Sequence, residues 1–99
     1  MRTYNQRVNV VWDPKKARTN QAKHGVDFAD AAIALQDENA LTISDVEHGE
    51  HRFKTLAMSP QANVLLIIHA EQDKETVRII SARRAEKFEE RVYYEGGFE

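Results

Sequence analysis

Five consecutive apolar residues, Val64-Leu65-Leu66-Ile67-Ile68, constrain this chain more than any other stretch. The run is far too short to cross a bilayer and leaves no polar side to face water. It reads as a central strand buried on both faces. Glu71-Gln72-Asp73-Lys74 reads as a hairpin turn, after which Thr76-Val77-Arg78-Ile79-Ile80 pairs back, β-branched and apolar with one charge set into it. Upstream, Leu41-Thr42-Ile43-Ser44 alternates, and a strand is expected from Arg52 to Met58. A polar loop around Gly49 and a turn over Ser59-Pro60-Gln61-Ala62-Asn63 separate these strands. Connections this short favour an antiparallel meander.

Helical signals flank the strands. After a short strand at Val8, Val10 and Trp12, Asp13-Pro14 starts a helix, with Asp at the N-cap and Pro where its missing N–H costs nothing. It should end near His24, with Gly25 taking the left-handed position past its end. That helix offers only Ala17 and Ala22 as apolar residues, while Asn20, Lys23 and His24 share one face. Asp27 caps a second helix with Phe28, Ala31, Ala32 and Leu35 on its apolar stripe, so an N-terminal αα-hairpin is expected. Ser81 reads as the N-cap of a C-terminal helix whose stripe is Ala85, Phe88 and Val92, ending at Gly96-Gly97. The expected class is α+β, with a sheet of four to five strands in one small domain over residues 1–99.

Charge limits the partners. The net charge is −2, so any contact with nucleic acid must use a local patch. Residues 1–26 carry Arg2, Arg7, Lys15, Lys16, Arg18 and Lys23 against Asp13 alone. Residues 27–50 carry seven acids and no Lys or Arg, and Arg52, Lys54, Arg78, Arg83 and Arg84 restore the basic side. The chain has no cysteine, which fits a reducing compartment, and no signal-peptide or membrane-spanning segment, so a cytoplasmic location is expected.

Arg83 and Arg84 break a local rule if they occupy the first turn of a helix, where the dipole favours acids. Two guanidinium groups beside exposed amides would form an anion site. The alternative is that they pair with Glu86, Glu89 or Glu90. Glu47-His48-Gly49-Glu50-His51 has metal-ligand residue types but lacks a rigid helical spacing, so no metal or other cofactor is expected. Nucleotide hydrolysis of the P-loop kind is excluded by the absence of its glycine-rich motif. An inventory of Arg, Lys, His, Glu and Tyr suits metal-free RNA cleavage, in which the 2′-hydroxyl attacks its own phosphate. That reaction needs a base, a proton donor and cations for the charge on phosphorus.

Trp12-Asp13-Pro14-Lys15-Lys16, then Asn20 with Lys23-His24-Gly25-Val26, then the Arg52 strand, then Arg78-Ile79-Ile80-Ser81-Ala82-Arg83-Arg84-Ala85, resemble in order and spacing the BrnT family of bacterial type II toxins. The resemblance covers about residues 10–95. It implies a RelE-like ribonuclease fold, a ribosome-independent endoribonuclease that arrests translation, and a cognate BrnA-like antitoxin. It further implies a toxin–antitoxin heterotetramer that meets promoter DNA only through the antitoxin. Arg52, Arg78 and Arg83 match basic positions of the family and are expected to clamp phosphate. Lys23 and His24 match its Lys-His-Gly segment, although His24 can instead cap its own helix. Glu50 and His51 are acid–base candidates, and Lys54, Arg84 and Tyr94 are candidate RNA contacts. Of Tyr93 and Tyr94, one is expected to be core, as are Trp12 and His69. A rival class remains open, a non-catalytic module whose basic face binds nucleic acid or an acidic protein.

Overall fold

The computed structural model describes residues 8–45 and 51–97. Within them lie strands β1 (Asn9–Val11), β2 (Leu41–Asp45), β3 (Arg52–Met58), β4 (Val64–Asp73) and β5 (Thr76–Arg84), and helices α1 (Pro14–His24), α2 (Phe28–Ala34) and α3 (Lys87–Glu95). The strands form one sheet in the order β1-β5-β4-β3-β2. Strands β2 to β5 are the expected antiparallel meander, with apolar β4 at the centre. The addition of β1 parallel to β5 makes the sheet mixed.

The sheet separates two cores. On the back, Phe28, Ala31, Ala34 and Leu35 around α2 meet Ala57, Leu65, Ile67, Val77, Ile79 and Ala82. Trp12 packs edge-on against Phe28, with ring centroids 6.2 Å apart. Helices α1 and α2 both rest on β5, and α2 also reaches β4. On the front, α3 lays Tyr93 and Val92 over Leu56, Val64 and Leu66. A buried polar rung crosses β2, β3 and β4. The Thr42 and Thr55 hydroxyls are 2.7 Å apart, and Thr55 Oγ1 lies 2.7 Å from His69 Nε2. Phe53 stacks on the His69 ring, so His69 is core.

Local rules explain the helix ends. Asp13 accepts a bond from the Lys15 amide, Pro14 opens α1, and Gly25 closes it at φ 72°. Asp27 caps α2 in the same way through the Ala29 amide. The C-terminal helix departs from expectation. Ser81 lies inside β5, and α3 begins only after Glu86. Phe88 is consequently 59% exposed, and Glu89 and Tyr93 face inward instead. The strand also runs on past Ile68 to Asp73, and the turn tightens to Lys74-Glu75, with Asp73 accepting from the Glu75 amide.

Asp37 pins α3 to the sheet. Its carboxylate accepts from the Tyr93 hydroxyl and from the amides of Met58 and Asn39. Burial disfavours its charge, yet these bonds outweigh that cost and hold the carboxyl below its ordinary range. Tyr93→Phe removes one neutral-to-charged hydrogen bond and leaves the others. The expected loss is about 1–2 kcal/mol, seen as a melting temperature lower by roughly 4–10 °C.

Candidate functional site

Strand register places the basic residues. Arg52 of β3, Ala70 of β4 and Arg78 of β5 stand in one row across the sheet. Lys54, Ile68 and Ser81 form the next row, and Leu56, Leu66 and Arg83 the third. Alternation directs all three rows to the front, because their neighbours Phe53, Thr55, Ala57, Val77, Ile79 and Ala82 point to the back. With strands spaced about 4.8 Å apart, Arg52 and Arg78 rise on either side of Ala70 with Cα atoms roughly 10 Å apart. Helix α3 covers the Leu56, Val64 and Leu66 end of this face. At the other end, Arg52, Lys54, Ile68, Arg78 and Ser81 are half-buried. The arrangement is a shallow cationic floor with an apolar centre.

A β-bulge decides which arginines belong to it. Ile68 pairs with Ser81 but His69 pairs with Ile79, so Ile80 is an extra residue in β5. Arg83 lies five positions after Arg78, and in a regular strand the two would face opposite ways. The bulge turns Arg83 to the front, the same face as Arg78 and two rows away from it. Arg84 goes to the back, where it donates to Asn63 Oδ1 at 2.9 Å and lines a hollow with Gly25, Asp27 and Asp30. The expected anion site at a helix N-terminus is therefore absent, since both arginines are strand residues.

Arg83 is clamped by Glu89 of α3, through bonds of 2.9 and 3.1 Å. It also donates to the Arg84 carbonyl at 3.1 Å. Three of the five N–H donors of a guanidinium are thus engaged. Glu89 is 8% exposed and also accepts from the Glu86 amide. Burial works against its charge, but Arg83, the Glu86 amide and the nearby Lys54 charge prevail and hold the carboxyl below its usual range. The hydrogen bonds to Glu89 in turn raise Arg83, against the cost of its own burial. Because the folded carboxyl titrates lower than the unfolded one, its stabilising contribution is present above the ordinary glutamate range and fades as pH falls through the lowered value. Glu89→Gln should therefore melt below the native chain at pH 7, by about 1–2 kcal/mol. Melting curves taken down to pH 3 should show that gap closing.

The remaining candidates lie around this floor or away from it. His24 and Lys23 end α1 beside the β5 edge and share a groove with Ile80 and Ser81, so they flank the floor. His51 is exposed and adjoins Arg52 at the open end. Glu50 and His48, and with them most of the Glu47–His51 cluster, lie outside the described residues. Tyr94 does not join the site. It is 66% exposed at the opposite end of the front face, against Tyr93 and over a hollow of about 510 Å³ lined also by Leu41 and Met58. Two buried carboxylates on the front face escaped the sequence reading as site members. Glu89 carries a signal, an acid three residues after Glu86 as in a capping box. Asp45 stands opposite Arg52 in the β2–β3 ladder, which only register reveals.

Comparison with known proteins follows the same lines. Residues 12–89 match the family model described as "Ribonuclease toxin, BrnT, of type II toxin-antitoxin system". The fold is similar to the crystal structure of the Brucella abortus ribonuclease toxin BrnT. The TM-score is 0.66 and the identity 27%, over 81% of this chain and 99% of that one. No curated protein sequence matches significantly.

Proposed function

The chain belongs to the BrnT family of ribonuclease toxins of type II toxin-antitoxin systems, and from that premise we propose that it cuts RNA internally, without metal, on the front face of its sheet. The observation that carries this reading is the convergence of Arg52, Lys54 and Arg78 around Ala70 on the end of the face that α3 leaves open. A phosphodiester seated there meets cations from two strands. The ribose 2′-oxygen attacks phosphorus, the bond to the 5′-oxygen breaks, and charge builds on the non-bridging oxygens between Arg52 and Arg78. Arginine suits that task because its planar fork matches two phosphate oxygens. Arg83, anchored by Glu89, presents its remaining donors from the third row.

One group must take the 2′-proton and another must give a proton to the 5′-oxygen. His51 beside Arg52, His24 at the β5 edge and Glu50 are the candidates, residue types that can each hold or release a proton. The wider reading follows from the family. RNA cleavage in the cytoplasm halts translation, the activity needs no ribosome, and a BrnA-like antitoxin silences it in a heterotetramer that reaches promoter DNA through the antitoxin. The fold is then of the RelE-like kind. The test is cleavage of single-stranded RNA in EDTA, followed by end-group analysis. Products with 2′,3′-cyclic phosphate and 5′-hydroxyl ends are expected. Cutting that requires added magnesium, or that leaves 5′-phosphates, would overturn the mechanism.

A further inference from the structure

The first turn of helix α1 is built against the helix dipole, although Lys23 and His24 in its last turn suit it. That first turn contains no acid and instead carries Lys15 and Lys16, where backbone amides already present partial positive charge. The single acid at that end is Asp13, and its carboxylate is engaged by the Lys15 amide. The helix also lacks an apolar stripe; Ala17 and Asn20 provide most of its hold on the sheet. Nothing in the packing calls for the two lysines, so their cost to stability points to another use.

Their position supplies it. Lys15, Lys16, Thr19, Lys23 and His24 line a groove of about 280 Å³ whose floor is Ile80 and Ser81 of β5. The groove exists because β1 pairs with β5 only as far as Arg78, and α1 then lies alongside the strand edge, held at Ala82 by Asn20. Ser81 joins the groove to the front face, since it stands in the row of Lys54 and Ile68. Lys15 and Lys23 are eight residues apart, or about 12 Å along the helix. That spacing fits a few nucleotides of extended backbone.

We propose that the groove between α1 and the β5 edge is a second phosphate-binding track, which opens on the cleavage site at its His24 end and at its Lys15-Lys16 end holds the backbone of single-stranded RNA a few nucleotides from the scissile bond. The proposal rests on the reading of the front face as the cleavage site, because the track gains its meaning from its continuity with that face through Ser81. RNA is favoured over an acidic protein segment by that continuity and by the row of cations without an intervening acid. Such a track adds affinity without base specificity.

The test is equilibrium binding of a fluorescent single-stranded RNA of about 20 nucleotides, in EDTA, across a range of KCl concentrations. The native chain is compared with Lys15→Gln/Lys16→Gln and with Arg18→Gln. Arg18 lies on the far side of α1, outside the groove, and so shows what loss of a positive charge from this helix does when the groove is left intact. Loss of two phosphate contacts should flatten the slope of log affinity against log salt by about 1.4. It should weaken binding roughly tenfold or more near 0.1 M salt, while Arg18→Gln stays close to the native chain. The lysine variant should also melt at the same temperature as the native chain or higher, because the dipole conflict is relieved. An unchanged slope, or equal losses in both variants, would overturn the track and leave the cleavage reading intact. Intact RNA binding by the lysine variant, with salt-sensitive capture of an acidic antitoxin lost, would assign the groove to a protein and also overturn it. A native chain that neither binds nor cuts RNA would remove the cleavage reading and the track together.

Discussion

Asn20→Ala should cost about 3 kcal/mol and lower the melting temperature by roughly 10–20 °C, a large share of the stability of a domain this size. The reason is a substitution of side chain for strand. Beyond Arg78 the outer edge of β5 has lost β1 as a partner. The Asn20 carboxamide takes its place at Ala82, donating to the carbonyl at 2.8 Å and accepting from the amide at 3.1 Å. It also reaches the Val26 carbonyl at 3.3 Å, which closes the turn between α1 and α2. The residue is 6% exposed, so truncation strands three backbone groups, the amide and carbonyl of Ala82 and the carbonyl of Val26. Asn20→Asp is a sharper probe. It keeps an acceptor for the Ala82 amide but sets a carboxylate oxygen against the Ala82 carbonyl. Folding then favours the protonated acid, whose contribution is present at low pH and is lost as pH rises through its raised value. The deficit of Asn20→Asp against the native chain should therefore shrink on acidification, whereas that of Asn20→Ala should not.

The second large effect is on cleavage. Arg52→Ala should lower kcat/KM for RNA by about a hundredfold or more, and Arg84→Ala by no more than a few-fold. Both residues were expected from the sequence to touch RNA. Register separates them, because Arg52 stands beside Ala70 on the front face while Arg84 is bonded to Asn63 on the back. Steady-state kinetics on one single-stranded substrate decides the point. Equal losses in both variants would mean that RNA wraps around the sheet edge and that the front face is not the centre of the chemistry.

The comparison of these two arginines shows where sequence reasoning stops. Regular elements were legible because local rules agree with the fold. Val64 to Ile68 could only be an interior strand, and Asp13-Pro14 with Gly25 bracketed α1 by capping chemistry alone. The bulge at Ile80 was not legible. One inserted residue exchanges the faces of every residue after it, and its cause lies in pairing with β4 rather than in the local sequence. That one irregularity put Arg83 on the face of Arg78 and sent Arg84 to the other, while continued pairing with β4 as far as Arg84 keeps Ser81 in the strand instead of at a helix cap. The partnership of Arg83 with Glu89 was among the alternatives open from the sequence, since the acid lies within reach of either backbone path. The pairing of β1 with β5 and the role of Asn20 at Ala82 join residues more than 60 positions apart, beyond any pattern of neighbours.

The most direct trial of the account is RNA cleavage in EDTA by the native chain beside Arg52→Ala/Arg78→Ala, with matched melting curves to show that the variant is folded. The account predicts cutting by the native chain and none by the variant. Equal cutting by both would contradict the placement of the site on the front face, and no cutting by the native chain, from protein that still binds RNA, would contradict catalysis itself.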